Sequence, residues 1–267
     1  MGLNGGALDG SAAERSGAGM SYEDQRPFTA RFDWGAEGLR ALAADVSVVV
    51  IVDVLSFSTA VSVAVGAGGA VIPCPWHGDE ARRLAASRGA LLAVLRSETR
   101  PHQPYSLSPA TLRNLPSGSR LVLPSPNGSR LSAMADALVG NVLVGCLRNA
   151  GAVAGAARKL AGGDAVAVIA AGERRLGGEG SMRPAVEDLV GAGAVLAALH
   201  SERPSPEAVA AIAAFRAAAG DLPGFLAGCA SGRELIDAGF PEDVAIAAER
   251  DVDQVAPVLR IGIFGPR

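Results

Sequence analysis

Apolar residues along this chain fall into short runs that alternate between two periods. The run at 46–52, VSVVVIV, is β-branched and apolar at nearly every position, the pattern of a strand buried on both faces. Further strands are predicted at 70–72, 90–95, 120–123, 141–144, 165–170, 244–247 and 258–263. Between them, spacing of three and four residues predicts helices at 58–65, 79–87, 129–138, 150–160, 184–199 and 206–218. Pro184 and Pro206 stand at first-turn positions, and Ser205 is placed to cap the helix that follows it. Strand and helix alternating in this way predict an α/β fold, a three-layer α/β/α arrangement with a mainly parallel sheet. Residues 1–27 are rich in Gly, Ala and Ser with no apolar period, so a disordered N-terminal tail is expected there and a single α/β domain over 28–267.

Composition narrows the function. Of 267 residues, 49% are hydrophobic and 19% charged, which suits a folded domain with a large core. A formal charge of −3 and only 4% aromatic residues argue against a nucleic-acid partner, which needs a basic face or stacking platforms. Residues 54–78 carry no Asp, Glu, Lys or Arg and approach the length of a membrane helix. Gly66, Gly68, Gly69, Pro73 and Pro75 divide that stretch into a helix, a turn and a strand, so no membrane partner is expected. Cys74, Cys146 and Cys229 are too scattered for a disulfide framework or a zinc site, consistent with a cytoplasmic location. The Ala- and Gly-rich helices leave room for a homodimer.

In a parallel α/β sheet ligands sit beyond the carboxyl ends of the strands, so chemistry is sought in those loops. After the first strand come Asp53, Ser56 and Ser58, a carboxylate and hydroxyls at a helix start. They suit a hard cation or a phosphate, or serve only as helix caps. The loop after the third strand holds Arg96, Glu98, Arg100 and His102, able to clamp an anion and move protons, or to be simply solvated. Asn127-Gly128-Ser129 opens a helix with its amides outward, an anion-binding turn without the lysine of a P-loop. Cys146 has Ala152 rather than Arg six residues on, so it reads as a core residue and not as a phosphatase nucleophile. Leu55 stands where a haloacid-dehalogenase phosphatase needs its second Asp.

The most charged loop runs from Gly172 through Glu173, Arg174 and Arg175 to Arg183, with a glycine-rich stretch at 177–180 that reads as a flap or a flexible loop. It leads to Glu187 and Asp188 at the start of an otherwise apolar helix, two carboxylates that invite Mg²⁺. Gly191 and Gly193 lie mid-helix and read as close packing, not as a dinucleotide fingerprint.

Taken in order, these motifs resemble the 2-phosphosulfolactate phosphatase (ComB-like) family over about residues 46–257. The resemblance rests on DVLSFSTAV at 53–61, the Glu98 loop leading to Ser108-Pro109, and Asn127-Gly128-Ser129. It continues through Asn149-Ala150, Ala171-Gly172, Glu187-Asp188 with Gly191 to Gly193, Ser231-Gly232-Arg233-Glu234-Leu235 and Gly239-Phe240. It implies a Mg²⁺-dependent phosphatase that converts 2-phospho-3-sulfolactate to 3-sulfolactate and phosphate. Asp53, Glu187 and Asp188 are then the expected metal ligands, with Asp53 and Glu98 catalytic and Glu98 the base. Ser58, Arg96, Asn127, Gly128, Ser129, Asn149 and Arg174 are the expected substrate contacts. Two positions depart from the family pattern: Ser56 replaces its usual Arg, and Ser106-Leu107 its usual Gly-Asn. The same fold acting on another phosphorylated or sulfonated acid, and a non-catalytic small-anion-binding protein, are the alternatives.

Overall fold

A computed structural model describes residues 22–174 and 181–266. Residues 1–21 of the expected tail, the glycine stretch at 177–180 and Arg175 lie outside the described residues. In chain order the main elements are β1 (Ala30–Trp34), α1 (Gly35–Leu42), β2 (Val48–Val52), α2 (Phe57–Gly66), β3 (Ala70–Cys74), α3 (Asp79–Arg88) and β4 (Leu91–Leu92). Next come α4 (Pro109–Leu112), β5 (Arg120–Pro124), α5 (Gly128–Leu138), β6 (Val142–Gly145), α6 (Ala150–Ala161) and β7 (Val166–Ala170). The remainder is β8 (Glu173–Arg174), β9 (Met182–Arg183), α7 (Val186–Leu199), α8 (Pro206–Ala218), α9 (Leu222–Gly228), α10 (Ala230–Asp237), α11 (Pro241–Ala247), β10 (Val258–Arg260) and β11 (Ile263–Gly265).

β2 shows why its sequence is apolar throughout. Val48, Val50 and Val52 face a core built with α6, α7 and α8, while Val49 and Ile51 face a second core built with α1, α2 and α5. All five are fully buried, and each such side chain contributes roughly 1.5–3 kcal/mol relative to exposure. Two helix layers enclosing one sheet are the three-layer α/β/α arrangement the alternation predicts. The nine-stranded sheet has the order β1-β7-β2-β6-β10-β11-β3-β5-β4. Parallel pairing dominates: β7 lies between β1 and β2, β6 on the far side of β2, and β5 between β3 and β4.

An antiparallel hairpin, β10–β11, joins these two parallel blocks, pairing with β6 through Val258 and Leu143 and with β3 through Phe264 and Val71. The single strand expected at 258–263 is therefore two. Ile261 and Gly262 both adopt positive φ (51° and 73°), the two-residue geometry that turns a hairpin. The strand expected at 244–247 is instead the last turn of α11, started by Pro241 and by Glu242 and Asp243 in its first turn. A four-residue apolar run has no period of its own, so only its neighbours decide. Of the strand expected at 90–95, Leu91 and Leu92 alone join the ladder to β5.

β1, α1, α9 and α10 were not anticipated from the sequence. Within residues 22–27, placed in the expected tail, Gln25 is anchored to the domain: its buried side chain donates to the Phe32 carbonyl and accepts from the Phe32 amide. Residues 54–78 form α2, a turn and β3, as the glycines and prolines indicate. Among the described residues no single helix is long and apolar enough to cross a membrane.

Candidate active site

Asp53 follows directly on β2 and is fixed by the helix it precedes. Its amide donates to Ser58 Oγ (2.8 Å), and its carbonyl accepts from the Ser58 amide (2.8 Å). Its carboxylate accepts from Phe57 N at Oδ1 (3.3 Å) and from Gly128 N at Oδ2 (3.2 Å). The amino ends of α2 and α5 thus converge on one carboxylate, where their free amides favour negative charge. Gly128 is required for that approach, because any Cβ there would overlap the Phe57 ring.

Asp188, in the first turn of α7, closes the same region from the other side. Oδ1 accepts from Val54 N (2.7 Å) and Oδ2 from Gly172 N (2.9 Å), so one side chain ties the loops after β2 and β7 together. Glu187 beside it is also buried, and its Oε2 has no hydrogen-bond partner among the described residues. Glu173 completes the group, accepting from Asn127 Nδ2 (3.3 Å).

Packed among these acids, three of the four carboxyl groups resist ionisation. Burial, and then the charges of Glu173 and Glu187, push Asp53 up to about 7. Burial, Asp53 and Glu187 raise Asp188 well above the ordinary carboxylate range. Burial and the charge of Glu187 also raise Glu173, while Arg183 draws it back down. Cys229 borders the group, its thiol pushed up to about 11 by burial and by Glu187. Among the described residues no three His, Cys, Asp or Glu side chains form a ready-made metal cage. The donors are nevertheless hard carboxyl oxygens, one of them the unpartnered Oε2 of Glu187, a chemistry that fits a hard divalent cation.

Glu173 separates two hollows. One, of about 320 Å³, is lined by Leu55, Ser56, Arg96, Glu173, Glu234 and Phe240. Arg96 is held there by Asp243 (Nε to Oδ2, 2.9 Å), with its guanidinium 5.7 Å from the Phe240 ring centre, and Ser108 donates a short hydrogen bond to the same Asp243. The other, of about 410 Å³, is lined by Trp34, Asn127, Arg130, Glu173, Arg174 and Met182. A larger hollow of about 510 Å³ lies at the amino ends of β1 and β7, among Thr29, Val166 and His200, and is lined by none of these acids.

The structure therefore brings together Asp53, Asn127, Gly128, Gly172, Glu187 and Asp188, with Arg96 and Arg174 on the walls of the adjoining hollows. Glu98 does not join them: it is exposed beside His77 and Arg82, in a hollow that none of the four acids lines. Asn149 folds back on its own turn, accepting from Cys146 N (2.9 Å) and reaching the Val144 carbonyl (3.4 Å). Ser58 Oγ accepts from Asp53 N, and Ser129 Oγ from Cys74 N (3.1 Å), so both fix backbone. The Gly128 amide, expected to meet a substrate anion, meets Asp53 instead. Glu173, Arg130 and Asp243 were not singled out from the sequence. Only Glu173 carried a signal, as the acidic residue directly after a strand-end glycine.

A sheet sandwiched by helices, with carboxylates gathered at strand ends beside arginine-bearing hollows, defines an α/β/α enzyme with an acidic strand-end site. Residues 37–262 match the model of the 2-phosphosulpholactate phosphatase family. The chain is also 33% identical over 216 residues to the 2-phosphosulfolactate phosphatase of Methanothermobacter thermautotrophicus, covering 80% of this chain and 87% of that protein. It belongs to the 2-phosphosulpholactate phosphatase family, and so to the phosphoric monoester hydrolases.

Proposed function

We propose that this protein hydrolyses 2-phospho-3-sulfolactate to 3-sulfolactate and inorganic phosphate with the help of Mg²⁺. Beyond family membership, the observation that carries this reading is the buried carboxylate group, whose Glu187 Oε2 has no hydrogen-bond partner among the described residues. Asp53, Glu187 and Asp188 would hold the ion. Bound there, Mg²⁺ would offset charge on the phosphoryl oxygens and make a coordinated water more acidic. Asp53 and Asp188 are already oriented by paired backbone amides, so little reordering is needed for them to serve as fixed ligands.

Glu173 is the acid of the group that lines open space on both sides. It takes the proton from the attacking water, in place of the distant Glu98. Asn127 steadies it by donating to Oε2. Water adds to phosphorus as the bond between phosphorus and the C2 oxygen breaks; that oxygen leaves with the bonding electron pair and takes a proton from solvent to become the hydroxyl of sulfolactate. Arg96, locked by Asp243 and Phe240, faces the hollow that contains Ser56 and presents a fixed cation to the transferring phosphoryl group.

Phosphate release from 2-phospho-3-sulfolactate, measured with Mg²⁺ and again with EDTA, tests the reading. Turnover is expected with Mg²⁺ and a loss of at least ~100-fold without it. Full activity in EDTA would remove the metal role. Faster turnover of a phosphorylated acid that lacks the sulfonate would reassign the substrate.

A further inference from the structure

The substrate read above carries a second strongly acidic group besides its phosphate, and the two hollows beside Glu173 differ in what they offer it. In the hollow with Ser56, Arg96 is ion-paired to Asp243 and already assigned to the phosphoryl group, and Glu173 and Glu234 stand on the walls. Its uncommitted charge is negative. In the hollow with Trp34, the one further acid, Glu37, is ion-paired with Arg40. There Arg130 and Arg174 both line the space, and neither guanidinium makes a hydrogen bond or ion pair among the described residues. Other arginines of the neighbourhood are committed: Arg148 to Asp253 and Glu249, and Arg183 to Ser231 Oγ (3.0 Å). Arg100 bonds the carbonyls of Ser97 and Thr99.

We propose that the 410 Å³ hollow is the subsite for a further anionic group of the substrate, its sulfonate or carboxylate, and that Arg130 determines specificity there, with Arg174 on the same lining. Arg130 lies on the first turn of α5, two residues after Gly128, whose amide meets Asp53. One short helix start thus joins the carboxylate group to the hollow that reads the rest of the substrate. This also places a cation within the site although position 56 holds a serine. A guanidinium offers two parallel donors to a sulfonate or carboxylate, which a serine hydroxyl does not.

The inference rests on the proposed function, and the test separates the two. Arg130→Ala removes an exposed side chain that has no hydrogen bond or ion pair among the described residues, so folding is expected to be unchanged. Steady-state kinetics would compare 2-phospho-3-sulfolactate with p-nitrophenyl phosphate, which has no second anion, and calorimetry would measure binding of 3-sulfolactate. The variant is expected to raise KM for phosphosulfolactate and the Kd of 3-sulfolactate by about tenfold or more, the usual cost of a lost charge-assisted hydrogen bond. KM for p-nitrophenyl phosphate should change less than about twofold, and Arg130→Lys should recover part of the loss. Equal effects on both substrates, or no effect on either or on 3-sulfolactate binding, would overturn the subsite. Wild-type protein that turns over p-nitrophenyl phosphate but not phosphosulfolactate would overturn the substrate assignment instead.

Discussion

The carboxylate group makes a prediction about stability with a definite sign. Asp53 rises from an ordinary value of 3.8 to about 7 in the fold, because its charge is buried beside other acids. The folded protein therefore holds this proton more tightly than the unfolded chain does. The resulting stabilisation is fully present below pH 3.8 and is lost as pH rises through about 7. A displacement of that size corresponds to roughly 4 kcal/mol between the two ends of the window. Asp188 and Glu173 move in the same direction for the same reason, so they reinforce the trend.

The perturbation is Asp53→Asn, and the assay is urea unfolding of metal-free protein at intervals from pH 4 to pH 8. Asn places an amide group against one of the two backbone donors, Phe57 N or Gly128 N, at a pH-independent cost of about 1–3 kcal/mol. That constant cancels when slopes are compared. Wild type is expected to lose about 4 kcal/mol more than the variant between pH 4 and pH 8. Adding Mg²⁺ at pH 8 to about 100 times its Kd should return roughly 2.7 kcal/mol to wild type, and much less to the variant. Parallel pH profiles for the two proteins would refute the argument, because Asp53 would then be no more strained in the fold than in the unfolded chain.

Three further outcomes follow from the same geometry. Asp188→Ala strips the acceptor from two buried amides, Val54 N and Gly172 N, and should lower stability by about 2–5 kcal/mol in urea unfolding, as well as abolish phosphatase activity. Glu173→Gln should cut kcat by about 10²–10⁴ while Glu98→Gln leaves it within about twofold; the reverse order in steady-state kinetics would return the base to Glu98. Gly193→Ala should destabilise by about 3 kcal/mol or more in thermal unfolding, since the added methyl would overlap the Ala211 carbonyl where α7 crosses α8.

Local pattern determined much of this protein. The apolar run around β2, the cap at Ser205, the span of α8 and the small residues of α7 each reflect short-range rules of period, dihedral preference and size. Those rules placed Asp53, Asn127 and Gly172 in loops beyond strands and Glu187 and Asp188 at a helix start, which is why the acidic region was legible. Tertiary structure alone decided which loops meet. Period reports the face on which a residue sits, not which distant loop lies opposite, so the sequence pointed to Glu98 although it is Glu173 that stands beside the acids. It also decided what the polar groups at strand ends do. The amides of Phe57 and Gly128 are drawn to Asp53 because a buried carboxylate and unpaired helix-start N–H groups satisfy each other once packing brings them together. The division of residues 258–263 into a hairpin and the helix at 241–247 were instead settled by immediate neighbours, the Ile261-Gly262 turn and Pro241, rather than by the short apolar runs themselves.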